Sequence, residues 1–83
     1  MDREIVPGVY RHFKGNRYEV LYIAQHTETN ELLVIYKALY GEEIIYARPL
    51  KMFASKVDRE KYPDAKQDYR FQQEPQCQGS KYI

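Results

Sequence analysis

Few residues of this chain could do chemistry: His12, His26, Glu28, Ser55, Cys77, Arg48 and nine tyrosines. Two imidazoles and a carboxylate form a known metal-binding set. However, His12, His26 and Glu28 include no closely spaced pair on one element, so the commoner role is a ring stacked at a core edge, and no metal is expected. A nucleophile needs a base beside it and a group that orients the base. Ser55 has neither in view, and Cys77, the lone cysteine, lies in a polar tail as a free thiol that cannot form an internal disulfide. Gly15 and Gly41 stand too isolated to cradle a phosphate. No catalysis and no cofactor are expected. What remains is recognition chemistry. Tyrosine offers rigid area with a hydrogen-bonding tip, histidine a charge that responds near neutral pH, and Arg48 beside Tyr46 a guanidinium that aromatics can hold for a carboxylate or a base.

Such residues need a platform, and 83 residues allow one small core, burying about 60% of the surface the unfolded chain exposes. Thirteen basic residues against twelve acidic ones leave a charge of +1, which supplies no global field to gather nucleic acid or anionic lipid. The signs come in blocks: "RHFKGNR" and "RPLK" are basic, "TETNE" and "YGEE" acidic. No apolar run approaches the roughly 18 residues of a membrane span. "MDREIVPG" has neither the basic start nor the apolar stretch of a signal peptide. A cytoplasmic location without membrane contact is the expectation.

From Val9 to Arg48, β-branched and aromatic residues alternate and turn formers punctuate them, which predicts strands. They are expected over 9–13, 17–27, 32–39 and 44–48, turned by "KGN", "ETN" and "YGEE", with Pro49 ending the fourth for want of an amide donor. "PLKMFASKV" predicts a short helical turn with Met52, Phe53 and Val57 closing the bottom of a core. "QDYRFQQ" adds a last strand through Tyr69 and Phe71. The expected fold is mainly β: a small, partly open SH3-like antiparallel barrel of four to five strands with one short helical turn, occupying 1–73. A Gln-rich tail over 74–83 is expected to be disordered, since it has little to bury.

Register divides the side chains. A three-residue "KGN" loop sets His12 opposite Tyr18 and Tyr10 opposite Val20. A loop of Glu28, Thr29 and Asn30 avoids facing Glu28 with Glu31 and sets Tyr22 opposite Tyr36. One face then carries Tyr10, His12, Tyr18, Val20, Tyr22, Ala24, His26, Val34, Tyr36 and Ala38; the other is mostly aliphatic. Because both are apolar, one is the core and the other is covered by the tail, a second copy or a partner. The ringed face is either a packed interior, the commoner arrangement, or a recognition surface. A bulge in the long second strand would exchange the two assignments partway along.

The fragments Gly8-x-Tyr10-x-His12-Phe13-Lys14-Gly15, Tyr18-x-Val20, Ala24-x-His26-x-Glu28-Thr29, Leu39-Tyr40-Gly41, Tyr46-x-Arg48-Pro49 and Met52-Phe53 together resemble a family of short bacterial domains of unknown function. In that family Trp is common where Tyr46 stands, and a closing Arg-Phe corresponds to Arg70-Phe71. The resemblance implies a compact β fold and a bacterial or phage origin, and no chemistry.

The function expected on these grounds is a non-enzymatic binding or adaptor module. It would recognise a protein or peptide through Tyr10, His12, Tyr18, His26, Tyr36, Tyr46 and Arg48, with a homodimer allowed. Single-stranded nucleic acid is the alternative, met by Arg11, Lys14, Arg17, Arg48 and Lys51. It ranks second because each basic block shares an end of the proposed sheet with an acidic one. A rim ion pair to Glu28 or Glu31 is the alternative role for Arg48.

Overall fold

The computed structural model describes residues 4–74. Five antiparallel strands and one helical turn follow in the order β1 (Gly8–His12), β2 (Arg17–Gln25), β3 (Leu32–Ala38), β4 (Ile45–Pro49), α1 (Leu50–Phe53) and β5 (Phe71–Gln73). They form a single sheet, β4-β3-β2-β1-β5. Among the described residues β4 and β5 are its free edges, so the sheet does not close into the barrel expected from the sequence. The expected tail beyond Glu74, with Cys77, lies outside the described residues.

Both hairpins differ from their expected registers. In the first, Tyr10 pairs with Tyr18 and Arg11 with Arg17. The turn is shifted one residue toward the N-terminus, because the His12 carbonyl accepts from Gly15 N–H and the Asn16 carbonyl from His12 N–H, each at 2.8 Å. Slipping by two residues preserves which side each chain faces, so Tyr10 and Tyr18 stay together. In the second, Ile23 pairs with Val34 and Tyr22 with Ile35, and after a bulge at Leu21 the register resumes with Val20 opposite Tyr36. Asn30 does adopt the left-handed conformation, φ 64°, but the turn is closed one residue further out, by His26 N–H to the Glu31 carbonyl at 2.8 Å.

The concave side is the ringed one. Tyr10 (1% exposed), Val20, Val34, Tyr36 (4%), Phe53 and Phe71 form the core with Ile5. Of the two readings of that face, the packed interior is the one observed for Tyr10 and Tyr36. The bulge turns Tyr22 outward, 69% exposed, and removes it from that face. Tyr10 is buried with its hydroxyl satisfied: it donates to the Val6 carbonyl at 2.8 Å and accepts from Val6 N–H at 3.0 Å. That reciprocal pair ties the incoming chain across the core. At the other end Phe53 and Val57 are buried, whereas Met52 points to solvent.

Candidate functional site

With Tyr10 and Tyr36 inside, the ringed face meets solvent only at its rim. There Tyr18 is half-buried and shares a 2.7 Å hydrogen bond with the Tyr40 hydroxyl. Burial and that bond, with the neighbouring phenols, push its ionisation up to about 12. Tyr46 is exposed and packs on Tyr36, centroids 5.6 Å apart. His26 is elsewhere, just past the far end of β2, where its Nδ1 accepts from Glu28 N–H at 3.0 Å and organises the turn. The structure therefore brings together His12, Tyr18, Tyr36, Tyr46 and Arg48 and leaves His26 out. Among the described residues, no three His, Cys, Asp or Glu side chains group to hold a metal ion. The Ser55 hydroxyl is engaged in donating to the Met52 carbonyl at 2.6 Å.

His12 and Arg48 also form part of one wall of a hollow of ≈ 290 Å³. Arg48 reaches it from the end of β4. Its Nε donates to the Tyr36 hydroxyl at 3.2 Å, and its guanidinium carbon lies 5.5 Å from the Phe71 centroid. It makes no ion pair to Glu28 or Glu31; the carboxylate-paired cations among the described residues are Arg11, Arg17 and Arg59. From the β1–β2 turn come His12, Phe13 and Lys14. From the irregular chain after α1 come Asp58, Lys61, Tyr62 and Arg70.

That irregular chain is held in place. Arg70 N–H donates to the Ser55 carbonyl at 2.9 Å and Val57 N–H to the Asp68 carbonyl at 2.8 Å, binding its two ends together. Arg59 clamps the loop between them, donating to the Ala65 carbonyl at 2.7 Å and to an Asp68 carboxylate oxygen at 2.9 Å. Tyr62 is thereby laid against Phe13, centroids 4.9 Å apart, with the Lys14 ammonium 5.1 Å from the Tyr62 centroid.

The hollow is strongly cationic. Lys14, Arg48, Lys61 and Arg70 surround it against one carboxylate, Asp58, which accepts from Glu60 N–H at 3.0 Å. The imidazole registers this field: burial foremost, then Arg48, Lys14 and Arg70, lower its pKa to about 4. It is therefore neutral at physiological pH. Since Nδ1 accepts from Lys14 N–H at 3.1 Å, the ring proton sits on Nε2. The hollow thus offers cations, rings and one imidazole N–H, and suits an anionic group carried on a flat or apolar body.

Sequence reading found His12 and Arg48 and noted Lys14 among basic residues, but missed Asp58, Lys61, Tyr62 and Arg70. Asp58, Lys61 and Tyr62 come from a stretch without periodicity and Arg70 from the expected last strand, and the one signal was the basic and aromatic pairs Lys61-Tyr62 and Arg70-Phe71.

Residues 8–73 match the domain family described as a protein of unknown function, DUF1653. A crystal structure of a protein of that family from Bordetella bronchiseptica superposes with a TM-score of 0.74 at 30% sequence identity, covering 96% of this chain and 100% of its own. Among curated proteins there is no match.

Proposed function

The chain belongs to DUF1653, and from that premise we propose that it is a small non-catalytic binding module that takes an acidic side chain of a protein or peptide partner into the hollow between His12, Arg48 and Tyr62. The observation that carries this reading is the imbalance of charge there: Lys14, Arg48, Lys61 and Arg70 converge, and none is paired with a carboxylate among the described residues. Cations left unpaired beside apolar rings favour an incoming carboxylate, because charge-assisted hydrogen bonds are the stronger kind. A non-catalytic role fits the use of the imidazoles and of Ser55 as turn and helix-end partners. A cytoplasmic setting in a bacterium is part of the same proposal, its bacterial half supported by the Bordetella neighbour.

Single-stranded nucleic acid is the second reading, favoured by Phe13 and Tyr62 as stacking surfaces beside cations. Size weighs against it. A hollow of ≈ 290 Å³ seats one group, whereas a strand binder lays a basic track across several nucleotides.

An NMR titration with extended peptides bearing one Asp or Glu, and in parallel with short oligonucleotides, tests the reading. The expected result is saturable movement of the His12, Phe13 and Tyr62 ring signals with the acidic peptides, lost in Arg48→Ala. Movement with oligonucleotides alone, with affinity falling steeply in salt, would transfer the hollow to nucleic acid.

A further inference from the structure

The two edges of the sheet are guarded differently. β5 is three residues long, carries Gln72 and Gln73, and the chain leading into it is already paired through Lys56 and Tyr69. In β4 the charged residue and the proline, Arg48 and Pro49, stand only at its end. Ile45, Tyr46 and Ala47 are all exposed, Ile45 to 58%, and no charged residue interrupts them. Natural sheets usually blunt such an edge with Lys, Pro or a bulge because it templates pairing.

Among the described residues, the outward backbone groups of β4 meet no further strand. Ala38 N–H donates to the Ile44 carbonyl at 2.9 Å, so in the alternation of an antiparallel ladder Ile44, Tyr46 and Arg48 turn their peptide groups to β3, and Ile45 and Ala47 turn theirs outward.

The flanks of β4 name the occupant. Glu42 and Glu43 precede the strand, and Arg48 and Lys51 close it. An antiparallel partner with the same flanks meets opposite charge at both ends, which makes the edge complementary to itself. We propose that β4 is a self-association edge, pairing with β4 of a second copy about a two-fold axis at Tyr46. Ile45 of one copy then exchanges both peptide hydrogen bonds with Ala47 of the other, in an isologous contact, and the acidic turn of each meets the basic end of its mate. Arg48 belongs to both this surface and the hollow, whereas Glu42, Ala47 and Lys51 do not line the hollow.

Sedimentation equilibrium of the full chain tests the proposal. Ala47→Pro removes an N–H that points away from β3, so the sheet keeps its own bonds while the joint loses two donors. The expected result is a concentration-dependent dimer for the native chain and a monomer of unchanged circular dichroism for Ala47→Pro. Glu42→Lys weakens association about three- to tenfold, and Glu42→Lys with Lys51→Glu restores it. A native chain that is monomeric at its highest soluble concentration overturns the proposal. So does a dimer indifferent to Ala47→Pro, or a double reversal no tighter than Glu42→Lys alone.

Discussion

The ring of Phe53 lies flat on that of Phe71, centroids 4.1 Å apart and planes 8° from parallel. One comes from a helix of a single turn and the other from the last strand. Tyr10 and Tyr36 meet Phe53 edge-on, at 5.5 and 5.2 Å. Where β4 and β5 fail to pair, aromatic packing does the work that ladder hydrogen bonds would do in a closed barrel.

Truncating either ring should therefore hurt more than its position near an end of a strand or helix suggests. Phe53→Ala and Phe71→Ala are each expected to cost about 3–5 kcal/mol, enough to unfold a marginal domain. Phe53→Leu and Phe71→Leu should keep the fold at reduced stability. Urea denaturation of the Leu single and double variants should give a coupling energy of about 0.5–1.5 kcal/mol. Additive losses would mean that the two rings act separately.

Acid should weaken the fold through His12. Its folded pKa, about 4, lies below the ordinary 6.5, so between those values the unfolded chain binds a proton that the folded one refuses. This contribution is complete above pH 6.5, declines as pH falls through the window and is flat below 4. Solvent screening of a half-exposed ring limits it to about 1 kcal/mol. His12→Gln should flatten this part of the urea midpoint–pH curve. An acidic peptide seated in the hollow should raise the imidazole pKa, read from its NMR titration.

Arg48 separates binding from folding. Arg48→Ala forfeits the contact with Phe71 and the hydrogen bond to Tyr36, expected to cost about 1 kcal/mol. Affinity for an acidic peptide should fall about tenfold or more. Arg48→Lys keeps the charge without the planar fork and should lie between the two. Calorimetric titration beside thermal melts measures both quantities.

Arg11 faces Arg17 across the first hairpin, a like-charge pair that would disfavour the register. Glu74 resolves it, with one carboxylate oxygen accepting from Arg11 Nε at 3.1 Å and Arg17 Nε at 2.9 Å. Desolvation, the largest single influence, works the other way, but the bonds to Arg17 and Arg11 together with their charges prevail and hold the Glu74 pKa below the usual carboxylate range. Glu74→Gln should lower Tm modestly in dilute buffer and scarcely at all in high salt. The same variant with Arg17→Glu should recover the loss by pairing Arg11 directly.

The strands were legible because alternation and turn formers agree. β1 to β4 fall within two residues of their expected bounds and the single helical turn lies where Phe53 suggested, whereas the last strand is shorter than expected, holding Phe71 but leaving Tyr69 in an isolated bridge to Lys56. Register was less legible, since turn position depends on bonds such as His12 N–H to the Asn16 carbonyl that no composition announces. The two-residue slip left Tyr10 and Tyr18 on one face; the bulge moved Tyr22 to the other. The hollow was half legible. His12 and Arg48 stand in patterned strands, whereas Lys61 and Tyr62 are brought in by the loop that Arg59 clamps and Arg70 by its bond to the Ser55 carbonyl.

Leu21 is the surplus residue in β2. An extra residue makes a strand twist and bend more sharply, and Arg48 of β4 comes within 5.5 Å of the Phe71 ring of β5 across the sheet. Leu21 itself is not among the residues that line the hollow. Shortening β2 by that one residue is expected to straighten the sheet and draw the arginine away from its ring, reshaping the hollow from outside its own lining.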